Sequence, residues 1–195
     1  MAEERTNKPP LDRSEDELIR SFPSALHDEI RTALSILPEN RHASQGNLFS
    51  VRLGEDLLSI PYRIYFDPPI LQTLRLTSLQ SELLDCLFTR HSDGFVRQKC
   101  LERIIHLRDI WVPCFVVPLV GEYVIEILRV IQENLASLDR LAYAEFFRAN
   151  PEFMGLTEKR VISYWNCYYR SIPRREYPGF MILSFLQSMA ENSYE

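Results

Sequence analysis

From Ser14 onward, Leu18, Ile19, Phe22, Leu26, Ile30, Leu34 and Leu37 recur at intervals of three and four, the spacing of one face of an α-helix. Pro23 divides this stretch into a short helix and a longer one, because proline removes a donor from the helical ladder. The polar residues 38–46 are then expected to form a loop. Beyond them the period changes. Phe49, Val51 and Leu53 alternate with Leu48, Ser50 and Arg52, and after Gly54-Glu55-Asp56 the series Leu58, Ile60, Tyr62, Ile64, Phe66 alternates again. Two alternating runs around a glycine-containing turn predict a β-hairpin over about residues 48–66. Pro61 offers no N–H to a ladder and places the second strand at an edge or a bulge.

The remainder reads as helix. Thr77 followed by Gln80 is a capping-box signature, and Leu79, Leu83, Leu84, Leu87 and Phe88 form the stripe of a helix ending near His91. Asp93 is placed to cap a helix whose apolar side is Val96, Cys100, Leu101, Ile104 and Ile105. Arg97, Lys99, Glu102, Arg103 and His106 are expected on its polar side. A segment over about 111–119 is apolar all round and must be central. Gly121 breaks it. A helix is expected from Glu122, with Tyr123, Val124, Ile127, Leu128, Ile131 and Leu135 as its stripe, followed by one over about 138–149 that stops before Asn150-Pro151. Thr157 opens a helix to about Arg170, and Pro178, a favourable first-turn residue, opens the last to about Ala190.

The stretch SDGFVRQKCLERIIHLRDIWVPCFVVPLV, continued by GEYVIEILRVI, resembles the helix-pair units of HEAT-type repeat proteins. It has an acidic residue, then Val-Arg, an amphipathic helix, a short turn, and a second apolar helix starting near a proline. The resemblance covers about residues 92–150. It implies helix pairs stacked side by side and a surface that binds other proteins. The expected fold is therefore mainly α, a helical bundle with HEAT-like helix pairs plus one β-hairpin. Residues 1–13 form an expected mobile tail, and 14–192 one helical domain with the hairpin inserted.

Composition agrees with one domain: 195 residues, 46% of them apolar, suffice for a single core. With 27 acidic and 22 basic residues the net charge is -5, so any surface for nucleic acid would have to be local. Cys86, Cys100, Cys114 and Cys167 contain no CxxC pair, and three of them fall in apolar helical patterns, so they are expected to be reduced core residues. The polar N-terminus has no apolar stretch of the kind a secretory signal needs. The longest apolar run, Ile110–Val120, is eleven residues, against the roughly 18 that span a bilayer. A cytoplasmic protein without a membrane role is the expectation.

His91, Asp93, Cys100 and His106 supply metal-ligand chemistry within sixteen residues. Their spacing argues against convergence. Cys100 and His106 are six positions apart, about 600° of helical rotation, which sends the thiol inward and the imidazole outward. Glu122 and Glu126 share a face at i, i+4, but with Arg129 and Glu133 they make the stripe expected of a solvated helix side. There is no GxSxG, GxGxxG or GxxxxGK[ST], so no catalytic residue, metal or cofactor is assigned.

The sharpest local contrast lies near the C-terminus. Between Thr157 and Pro178, Lys159, Arg160, Arg170, Arg174 and Arg175 face only Glu158 and Glu176, and Tyr164, Trp165, Tyr168 and Tyr169 accompany them. Tyrosine, tryptophan and arginine dominate interface energetics, which makes Tyr164, Trp165, Tyr168, Tyr169, Arg170, Arg174 and Arg175 the candidate interaction residues. The leading expectation is a non-catalytic protein-protein interaction module of the adaptor or inhibitor type, with another protein as partner. The hairpin edge offers a route to a homodimer. Nucleic-acid binding through residues 157–178 ranks second. An enzyme with a motif-less pocket near the hairpin and the His91 turn ranks third.

Overall fold

The computed structural model describes residues 13–37, 47–68 and 75–191. Apart from Arg13, the expected tail lies outside them, as does the loop expected over 38–46. The first helical pattern gives α1 (Arg13–Ile19) and α2 (His27–Ser35), separated by the Pro23 region and a 3-10 turn over Ser24–Leu26.

The alternating pattern gives β1 (Leu48–Leu53) and β2 (Asp56–Pro61), an antiparallel pair with Phe49 opposite Ile60 and Val51 opposite Leu58. Those four side chains are buried, while Ser50 and Arg52 between them are exposed. Gly54 carries the turn at φ 55, the positive φ that a two-residue hairpin loop requires at its first position. The hairpin is shorter than the sequence suggests. After Pro61, Ile64 leaves β2 and forms a parallel bridge with His91. Its N–H donates to the carbonyl of Arg90 at 2.9 Å, and its carbonyl accepts from Ser92 at 2.8 Å. The alternation of Tyr62 and Ile64 thus reflects a second pairing, with the turn after the next helix.

That helix is α3 (Ser78–Phe88), capped as expected: the Thr77 hydroxyl accepts from the Gln80 N–H, and the Gln80 side chain from the Thr77 N–H, both at 3.1 Å. It is followed by α4 (Gly94–Ile104), capped by Asp93, α5 (Pro113–Val120), α6 (Ile125–Glu133), α7 (Arg140–Ala149), α8 (Pro151–Tyr168) and α9 (Pro178–Glu191). Every residue of α5 is buried, which confirms it as the central helix. Two starts differ from expectation. The segment 122–124 precedes α6 as non-helical chain, with Val124 extended and Glu122 buried. In α8, Pro151 serves as the first residue, where its fixed φ suits a helix and its missing N–H costs nothing, so the helix begins six residues before Thr157.

A continuous apolar cluster runs from Leu18 through the hairpin and α5 to Met189. Around it α3 lies between α2 and α4, α6 touches α4, α5 and α9, and α9 closes on α7 and α8. Both hairpin edges are tied to this bundle. At β1 the Asn150 side chain accepts from the Arg52 N–H at 2.6 Å and donates to the Arg52 carbonyl at 3.0 Å. At β2 the Ser59 N–H donates to the Arg20 carbonyl at 3.0 Å, and the Ser21 hydroxyl donates to the Ser59 carbonyl at 3.1 Å.

Candidate functional site

The histidine and cysteine stretch does not converge, although α4 ends at Ile104 and His106 lies in the turn beyond it instead of on the helix. Cys100 is buried, with its Sγ 3.2 Å from Arg103 Nη2, and His106 is exposed. Burial first, then the Asp85 carboxylate, pushes the Cys100 thiol up to about 12. Asp85 in turn holds Arg103 by two hydrogen bonds, 2.7 and 2.5 Å. His91 uses Nδ1 to accept the Asp93 N–H at 3.0 Å, bracing the turn that the Asp93 cap opens. Among the described residues no group of three or more His, Cys, Asp or Glu side chains is arranged to hold a metal ion.

A different group of charges converges nearby. Glu122 is 5% exposed and is not on a solvated helix face. Its Oε2 accepts from Arg63 Nη2 at 2.6 Å, and Arg90 and Arg97 each approach one of its oxygens at 3.5 Å. Arg97 is buried, contrary to its expected place on the polar side of α4, because Gly94 starts the helix against Val124 and Arg97 reaches back under the turn. Its Nη1 donates to the carbonyls of His91 and Ser92 at 2.8 and 2.9 Å. Arg90 donates to the carbonyls of Pro61 and Tyr62 at 3.3 and 3.1 Å. A fourth guanidinium, that of Arg160, donates to the Tyr62 hydroxyl at 2.9 Å and lies over its ring. Desolvation, and the neighbouring Arg63, Arg97 and Arg160 against the pull of Glu122, bring the Arg90 guanidinium down to about 9. Sequence periodicity gave no sign of this cluster, whose members come from the strand exit, the α3–α4 turn, α4, the α5–α6 link and α8.

The aromatic and basic segment divides into two surfaces. Trp165 is half-buried against Phe180 and donates to the Ile172 carbonyl at 2.9 Å. Tyr169 stacks on buried Tyr177 with ring centres 5.4 Å apart, and its hydroxyl donates to the Tyr123 carbonyl at 2.6 Å. These two hold the end of α8 in place. Tyr168 is 66% exposed and Tyr123 51%, and with Tyr164 they form an aromatic shelf, with ring centres 5.9 to 6.3 Å apart. Arg170 reaches only Asn166, at 3.3 Å.

Arg174 and Arg175 face another way, onto an open groove of about 1060 Å³ between α7, α8 and α9. Phe147, Met154, Phe180 and Leu183 line its apolar part, and Arg148, Glu158 and Glu191 add charge at its margin. Arg174 lies over the Phe180 ring at 4.5 Å, which fixes the guanidinium beside an apolar surface. A second hollow of about 560 Å³ sits beside the hairpin turn, between Gly54, Ile110 and Phe146, and His91 does not line it.

No family model matches the chain, and neither a curated protein nor a solved structure matches it. Among the described residues no helix is long and apolar enough to cross a membrane.

Proposed function

We propose that this chain is a non-catalytic, cytoplasmic binding module of the adaptor or inhibitor type, whose HEAT-like helix pairs support a groove that receives a segment of another protein. The observation that carries this reading is the groove between α7, α8 and α9, where an apolar floor meets the Arg174 and Arg175 rim. Such a surface suits an amphipathic segment with apolar anchors and acidic flanks, because the anchors are desolvated while the arginines select charge. Free thiols at all four cysteines fit a reducing compartment. The hairpin edges are occupied at Arg52 and Ser59 by the chain itself, which favours the groove over edge-to-edge pairing.

Gly155 provides the test. It lines the groove, and a side chain there would begin in open space, so Gly155→Leu fills the groove without disturbing the fold. Affinity purification with nuclease treatment should recover a protein that Gly155→Leu and Arg174→Glu/Arg175→Glu both lose. Retention of the same partners by both variants refutes the reading. Nucleic-acid binding stays the second reading, favoured by exposed Lys159 on α8 and by exposed Tyr168 and Arg170 at and just beyond its C-terminal end. It requires affinity that falls steeply with salt and a slope that Arg174→Ala and Arg175→Ala each reduce.

A further inference from the structure

The charge around Glu122 does not balance. Four guanidinium groups, Arg63, Arg90, Arg97 and Arg160, gather near one buried carboxylate, that of Glu122, and the exposed Asp93 adds a second negative charge beside Arg97. Backbone carbonyls of Pro61, Tyr62, His91 and Ser92 take up several of their N–H groups but carry no net charge. Arg90 Nη1 and Arg97 Nε are buried with no hydrogen-bond partner. Uncompensated buried charge is costly, so natural proteins pair it or place it where an ion can reach its field.

Two members of the cluster reach solvent. The Arg63 side chain is 27% exposed against 2% for those of Arg90 and Arg97, and Arg160 is partly exposed. Both accessible guanidinium groups are hydrogen-bonded to Tyr62, Arg63 Nη1 to its carbonyl and Arg160 Nη2 to its hydroxyl. The aromatic shelf adjoins this mouth: Tyr123 follows Glu122 in the chain, Tyr164 lies one turn beyond Arg160 on α8, and the two rings are 5.9 Å apart.

We propose that the Arg63 and Arg160 mouth binds an aromatic phosphate monoester, with the dianionic phosphoryl group on the two guanidinium forks and the aromatic group on the Tyr123 and Tyr164 rings. Arginine forks match phosphate oxygens in pairs. A monoester carries about -1.5 to -2 charge near neutrality and offsets more of the surplus than a carboxylate does. Arg90 and Arg97 act from behind by their field. This mouth is separate from the groove, so neither reading depends on the other.

Calorimetric titration of the full chain at constant ionic strength tests it, with phenyl phosphate, inorganic phosphate and benzoate as probes. Phenyl phosphate should bind saturably, on the order of tenfold more tightly than either of the others. Arg160→Gln should weaken it on the order of tenfold or more, Tyr123→Ala several-fold, and Arg174→Gln in the groove not at all. Adenosine monophosphate and free phosphotyrosine then distinguish a nucleotide from a phosphorylated side chain as the natural source. Absence of saturable phenyl phosphate binding up to about 10 mM overturns the proposal. So does benzoate binding of equal strength, or affinity unchanged in Arg160→Gln, whose circular dichroism confirms that it is folded.

Discussion

Glu122 and Arg63 stand 59 residues apart in the chain and meet at 2.6 Å, Oε2 to Nη2, in a place where Glu122 is almost wholly removed from solvent. Because Arg90 and Arg97 share the same carboxylate, Glu122 is the buried acid that pairs these cations, with the exposed Asp93 acting on Arg97 from the turn. Glu122→Ala should therefore destabilise the fold by about 3–5 kcal/mol, the cost of leaving buried charge unpaired. Denaturant unfolding measures it. A loss under about 1 kcal/mol would show that the arginines are satisfied without it.

Tyr143 makes the opposite case. It is 1% exposed, and its hydroxyl has no hydrogen-bond partner. Burial also pushes its ionisation well above the ordinary tyrosine range. Tyr143→Phe removes a desolvated hydroxyl and keeps the ring, so the midpoint of unfolding should rise by an amount equivalent to about 1 kcal/mol.

Cys86, Cys100 and Cys114 are buried, and each thiol is held above its usual range, chiefly by desolvation, while Cys167 is exposed. The thiolate is the reactive form. At pH 8 a thiol reagent should label Cys167 rapidly in the native protein and the other three only after denaturant is added, and mass spectrometry of the labelled peptides reads the order.

Two glycines should respond in opposite senses to alanine. At Gly155 a Cβ meets nothing within 4 Å, so Gly155→Ala should stabilise α8 by about 0.5–1 kcal/mol. At Gly179 the same atom would lie 2.8 Å from both Tyr177 and Val161, and Gly179→Ala should destabilise by about 1–3 kcal/mol through forced repacking of α9 on α8. Thermal unfolding of the pair under one condition checks the contrast.

Asn150 ties the hairpin to the helices through both backbone groups of Arg52, and also donates to the Phe146 carbonyl at 2.9 Å. Asn150→Ala orphans these groups and should cost about 1–3 kcal/mol. Hydrogen exchange at the Arg52 amide should accelerate more than at Val51, whose amide belongs to the hairpin ladder.

Local chemistry was the part of this protein legible in its sequence. The period of Leu83, Leu84 and Leu87, the Thr77–Gln80 box, the Asp93 cap and the alternation about Gly54 each act within a few residues, so their outcome is written in adjacent positions. The inward thiol of Cys100 followed from its place on the apolar face of α4, whereas His106 lies in the turn beyond the helix end at Ile104 and is exposed there.

What the chain could not disclose by itself was the fate of its charges. Arg97 and Glu122 occupy positions that periodicity assigns to solvent, yet both are buried, because a charge enters a core only when distant elements bring it counter-charges and carbonyls. The strand exit, the α3–α4 turn and the α5–α6 link must be folded together before those partners exist. The groove beside Arg174 has the same origin, since its walls belong to three helices. Tertiary structure alone decided both, as each depends on distances between segments and not on the spacing within any one of them.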